Sequence, residues 1–188
     1  MADEVARAFP LFPLGVVALP HELLPLHIFE ERYRTMIGEC LERGSEFGIV
    51  WAADDGRMNI LTRGIRPFRL IERQDDLPYP AGVVEFLADE EEDADDEAAA
   101  AAHGLYQELV KQATDRTLED GELDEMDAYR MAATVEFPAD AKQELLELRS
   151  ESARLRLLAT LLREALERLE LVERAQARAR SNGKVRFG

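Results

Sequence analysis

The chain has 188 residues, 46% of them hydrophobic, and 23 Lys+Arg against 39 Asp+Glu, a formal net charge of −16. That length allows one domain or two small ones, and the charge argues against non-specific binding to nucleic acid or anionic lipid. A single cysteine, Cys40, excludes an internal disulfide and a cysteine-based zinc site, no apolar run spans a membrane, and the N-terminus lacks a secretory pattern, so a cytoplasmic protein is expected.

In chain order, AFPLFPL (8–14) reads as an edge or entry strand interrupted by Pro10 and Pro13. GVVALPHELLPLHIFE (15–30) is apolar but punctuated by Pro20 and Pro25, which predicts an extended loop leading into a short strand at Leu26–Phe29. Tyr33, Met36, Ile37, Cys40 and Leu41 then form one apolar stripe at helical spacing, with Gly44 as the stop signal. On that stripe Cys40 reads as a core thiol, a reactive nucleophile being the alternative. FGIVW (47–51) is a compact strand, and Asp55-Gly56 predicts a hairpin to MNILTRG. Ile65–Glu72 and Gly82–Leu87 complete a small, mostly antiparallel β-barrel or rolled sheet.

Half of the net charge lies in DEEEDADDE (89–97), a self-repelling run that reads as an acidic linker, or second as a docking site for a basic partner. Beyond it the pattern is helical. Helices are expected over Ala98–Thr114, Leu123–Val135 and Asp140–Leu148, the last with Asp140 as N-cap, and from Glu151 to about Arg180. In the last one, Leu155, Leu158, Leu162, Ala165, Leu169 and Val172 make a seam suited to packing in a helical bundle, or alternatively to an intermolecular coiled coil. The expected organisation is therefore α+β: a β-domain with one helix over 1–88, the linker at 89–97, a helical bundle over 98–180 ending in a long helix, and a basic tail at 181–188.

Catalytic and cofactor motifs are missing. There is no phosphate-binding G-x-x-x-x-G-K-[ST], no G-x-G-x-x-G, no H-E-x-x-H, no C-x-x-C, and no serine in a G-x-S-x-G setting. His21 and His27, with Glu22 or Glu30 nearby, match no zinc spacing, so packed or hydrogen-bonded histidines are expected over a metal site. Neither enzyme activity nor a cofactor is expected.

The motif FPLFPLGVVALPHELLPLHIFEERYRTMIGECL (9–41) resembles the opening of the N-terminal, substrate-binding domain of Lon proteases, a strand of the type P-L-F-P-L followed by P-L-H-I-F-E-x-R-Y-x-x-M. TRGIRPFRL (62–70), YRMAATVEFPADAKQELLE (129–147) and ARLRLLATLLREAL (153–166) are similar to later segments of the same family. The resemblance implies a PUA-like β-domain followed by a helical bundle. In full-length Lon this region precedes ATPase and protease modules, for which 188 residues leave no room, so a stand-alone member is implied. One departure is that Trp51 runs almost directly into the next strand, without a segment that family members carry there. A sheet edge near Trp51 is therefore expected to need cover.

The implied function is a non-catalytic protein- or peptide-binding module, an adaptor or client-holding protein for unfolded or degron-bearing polypeptides. A protease or chaperone would contact the helical domain and the basic tail as a second partner. Val16, Val17, Leu19, Leu23 and Leu24, crowded on one apolar loop, and Trp51 are the candidate polypeptide-binding residues. Pro25, His27, Phe29, Glu30, Arg32 and Tyr33 read as shapers of the loop-to-helix corner, with Ile28 and Phe29 in the core and Glu30 at the helix start. The alternative is an RNA-binding PUA-like module. Against it, a strand spacing of three puts Arg66 and Arg69 on opposite faces, so no basic face is expected among Arg63, Arg66, Arg69 and Arg73.

Overall fold

A computed structural model of the chain describes residues 4–51, 60–92 and 95–182. Six strands and six helices follow in the order β1 (Val5–Leu14), β2 (Leu23–Leu26), α1 (Glu31–Arg43), β3 (Gly48–Trp51), β4 (Ile60–Arg63), β5 (Phe68–Gln74), β6 (Ala81–Phe86), α2 (Asp96–Thr114), α3 (Asp120–Asp124), α4 (Ala128–Ala132), α5 (Ala139–Glu147) and α6 (Glu151–Asn182). The fold is mixed α+β with a C-terminal helical bundle. It divides into two compact units, one of Met1–Glu92 with Asp127–Glu151, the other of Asp93–Met126 with Ser152–Gly188.

The first unit contains a four-stranded sheet in the order β3-β1-β6-β5 and a separate two-stranded ribbon of β2 and β4. Among the described residues neither a closed barrel nor a rolled sheet is seen. β1 runs parallel to β3, with Leu11 opposite Gly48, while β1–β6, β5–β6 and β2–β4 are antiparallel. Parallel neighbours need a long crossover, and α1 lies within this one. The Asp55-Gly56 turn itself lies outside the described residues; among the described residues β3 pairs with β1 and β4 with β2.

At Leu11 and Phe12, β1 is buried on both faces, because these neighbouring residues serve different clusters. Phe12 packs with Leu26, Ile28, Tyr33, Met36, Ile37 and Tyr79, whereas Leu11 packs with Val84 and Phe86. Tyr33, Met36, Ile37 and Cys40 of the α1 stripe are therefore core, whereas Leu41, expected on the same stripe, is 77% exposed. Burial pushes the Cys40 thiol above its ordinary pKa, partly offset by a hydrogen bond from Ser45. Gly44 ends α1 in the left-handed conformation (φ 62°), returning its N–H to the Cys40 carbonyl.

Three helical expectations are corrected. The expected Leu123–Val135 helix is two short ones, α3 and α4. α5 is capped by Pro138, with Asp140 inside its first turn. In α6 the buried apolar positions are Leu155, Leu158, Ala159, Leu162 and Leu166, beside buried Ser152 and Arg154, while Val172 of the expected seam is exposed. A straight 3.6-residue helix drifts off a strict heptad seam, and burial fades past Leu166. The second unit also buries Ala98, Ala102 and Tyr106 of α2. Among the described residues no helix is long and apolar enough to cross a membrane.

Candidate functional site

The loop before β2 is a built corner, not a free apolar surface. Leu19 and Val17 are buried. The Leu19 N–H donates to Glu22 Oε2 at 2.9 Å, and Glu22 N–H returns to the Leu19 carbonyl at 3.1 Å. His21 N–H donates to the Gly64 carbonyl and Gly64 N–H to the Glu22 carbonyl, which ties this turn to the end of β4. Gly64 is required there, since a Cβ would stand 2.0 Å from the Leu19 carbonyl oxygen. Leu19 is thus enclosed by this corner, and Val17, though largely buried, borders a cleft.

Past Glu22 the chain alternates strictly. Leu26 and Ile28 are buried and Leu24 packs against the same core cluster, whereas Leu23, Pro25, His27 and Phe29 point outward. This is the period of two of extended backbone, carried past the end of β2 to the foot of α1. Leu23 is 52% exposed and Phe29 49%, so Phe29 is not the core residue expected from sequence. On β4, Leu61 stands opposite Pro25 and Arg63 opposite Leu23. Directly opposed residues share a face, so Leu61, 70% exposed, joins the outward apolar stripe. Of the six candidate binding residues, Leu23 lies on this stripe, Leu24 faces inward, Val16 is exposed on the preceding loop, and the Trp51 side chain falls outside the described residues. Sequence reasoning missed Leu61 and Phe29. Alternation from 23 to 29 was the signal for Phe29, whereas Leu61 needs the β2–β4 pairing.

At the corner, Glu30 is the N-cap residue of α1 without a side-chain capping bond, and it pairs with Arg32 at 2.7 Å. Arg32 lies over the Tyr33 ring, 4.6 Å from its centroid, and Tyr33 meets Phe12 edge-on. Glu30, Arg32, Tyr33 and Phe12 thus form a chain of contacts at this corner. Pro25, His27 and Phe29 instead present their side chains to solvent.

Two clefts open in the same unit and share Ala18, Ile49, Arg66 and Phe68. The first, about 560 Å³, is walled by Val16–Ala18, Leu70, Leu87 and Leu146, with Arg66, Arg69 and Arg149 on its lining. Arg66 and Arg69 thus meet at one cleft, contrary to the expected opposite faces, because Arg66 precedes β5 and does not follow strand alternation. Carboxylates hold both: Arg66 pairs with Glu4 at 2.8 Å and Glu46 at 3.4 Å, and Arg69 with Glu85 at 3.4 Å. Burial opposes the Arg66 charge, but its hydrogen bonds to and attraction by Glu4 and Glu46 outweigh that and raise its pKa. The guanidinium also stacks on Phe86 at 3.5 Å. The second cleft, about 500 Å³, lies between β3 and β4 over Phe9, Phe68 and Phe86.

Among the described residues no group of three or more His, Cys, Asp and Glu side chains is placed to hold a metal ion. His103 Nε2 sits 2.9 Å from the Met126 carbonyl, a hydrogen-bonded histidine of the second unit.

Residues 50–164 match the family model of the ATP-dependent protease La (LON) substrate-binding domain. The chain belongs to this family. The Lon N-terminal domain protein from Xanthomonas campestris has a similar fold, with a TM-score of 0.61 at 24% identity over 81% of this chain and 96% of that one. The N-terminal domain of Mycobacterium avium complex Lon protease is also similar, with a TM-score of 0.59 at 19% identity over 85% of this chain and 98% of that one. This Lon-type chain is thus similar to a substrate-binding domain.

Proposed function

We propose that this Lon-type module holds unfolded or degron-bearing polypeptide on the outward stripe of its β-rich unit and performs no chemistry on it. The observation that carries the reading is the alternation from Leu23 to Phe29, continued by Leu61. It leaves three large apolar side chains in solvent on a ribbon whose other face is core. An apolar surface of this kind fits non-native segments, whose exposed side chains gain by burial without a fixed sequence. The β-rich unit is taken as PUA-like. A protease or chaperone is the second partner at the helical unit, where Leu171 and Val172 of α6 are exposed. Carboxylates satisfying Arg66 and Arg69 disfavour the RNA-binding alternative.

The test is a peptide array probed with the intact chain. Enrichment of apolar peptides, lost in a variant carrying Leu23→Asp, Phe29→Asp and Leu61→Asp, supports the reading. No enrichment, or enrichment unchanged in the variant, contradicts it.

A further inference from the structure

We propose that the cleft between β3 and β4 takes an extended polypeptide as an added β-strand, apolar at alternate positions and with an acidic side chain directed to Arg63. This rests on the polypeptide-binding reading and adds to the outward stripe a second subsite, where the main chain is held in the neighbouring cleft.

Three observations carry it. β3 ends the four-stranded sheet, and β4 is bound on one side only, by β2. Among the described residues neither has a backbone partner along its other edge. Both edges line the same cleft. Unpaired strand edges are templates for main-chain hydrogen bonding, and one guest strand between two of them can bond on both sides. β3 provides four residues, about 13 Å at roughly 3.3 Å per residue, enough for a short ladder.

The floor suits apolar side chains on one face of that guest. Phe9 meets Phe68 and Phe86 edge-on, at centroid distances of 5.9 and 5.4 Å. Gly48 admits this packing on β3, since a Cβ there would stand 2.6 Å from Phe68 Cζ.

Charge selects the occupant further. Of the two arginines lining this cleft, Arg66 is neutralised by Glu4 and Glu46. Arg63 has no carboxylate partner among the described residues, and it lies on the outward face of the ribbon beside Leu61 and Leu23. A guest strand with apolar residues toward the floor presents its intervening residues outward, where an acidic one meets Arg63.

The probe is an end-capped, fluorescein-labelled Leu-Ser-Leu-Glu-Leu-Ser-Leu peptide, titrated against the intact chain beside two analogues, each N-methylated on one alternate set of amides. Strand addition predicts that both analogues bind at least about tenfold more weakly than the parent. It also predicts slowed amide exchange along Gly48–Trp51 and Ile60–Arg63 when the parent binds. Arg63→Glu should weaken the parent and be rescued by replacing the central Glu with Lys. Equal binding of parent and analogues, or protection confined to other segments, overturns strand addition while leaving polypeptide binding intact. Failure of every peptide to bind overturns both.

Discussion

Lys142 on α5 sets its ammonium against the Glu22 carboxylate, and both side chains are largely withdrawn from solvent, 12% and 13% exposed. The second Glu22 oxygen accepts the Leu19 N–H, so one carboxylate joins α5 to the corner that buries Leu19. Removing the cation leaves a desolvated carboxylate unpaired. Lys142→Met is therefore expected to cost about 3 kcal/mol in denaturant unfolding, with part recovered by adding Glu22→Gln. A loss below about 1 kcal/mol would mark the pair as an ordinary surface contact.

Gly64 makes the complementary contact from β4. Because the added Cβ would meet backbone and not a mobile side chain, relaxation has to move the Leu19–Pro20 turn. Gly64→Ala is expected to cost about 3 kcal/mol, the upper end for overpacking, measured as a shift in denaturant midpoint at unchanged slope.

Opposite faces of β2 should respond oppositely to charge. Leu23→Asp places a carboxylate in solvent and should leave the melting temperature within a degree or so of the parent while weakening polypeptide capture. Leu24→Asp directs the same group at the Phe12–Ile28 cluster and should cost at least about 2 kcal/mol. Thermal melts of the two single variants check the alternation directly.

Asp95 supplies a pH-dependent element in the second unit. Its side chain accepts the Ala98 N–H at 2.9 Å as N-cap of α2 and pairs with Arg156. The Ala98 hydrogen bond, joined by Arg156 and outweighing partial desolvation, holds its carboxyl below the usual range. A depressed folded-state pKa contributes stability above the unfolded value of about 3.9 and loses it as pH falls through the folded one. Asp95→Ala should therefore lower the melting temperature at neutral pH, and the difference from the parent should shrink below about pH 4. A difference constant from pH 7 to pH 3 would contradict this.

Local signals survived folding better than pairwise ones. The α1 stripe and the Gly44 stop were legible because both are periodic or conformational within a few residues. Strand pairing was not, since nothing within a few residues of β3 announces that it joins β1 across the α1 crossover. The strand–helix–strand succession from β1 through α1 to β3 was the signal for a parallel pair. At the site, Val17 and Leu19 looked exposed because an aperiodic loop gives no face, yet both are buried, Leu19 with its N–H and carbonyl bonded to Glu22. Phe29 went the other way: its apolarity suggested core, but the alternation through Leu26 and Ile28 sends it to solvent.

The central claim is that the outward stripe holds non-native polypeptide. The most direct measurement is the dissociation constant of the intact chain for a permanently unfolded, carboxymethylated polypeptide, compared with the Leu23→Asp/Phe29→Asp/Leu61→Asp variant at matched melting temperature. The account predicts saturable binding that the variant weakens at least about tenfold, each buried apolar side chain being worth roughly 1.5–3 kcal/mol. Saturable binding of equal strength in both proteins, or none in either, would contradict it.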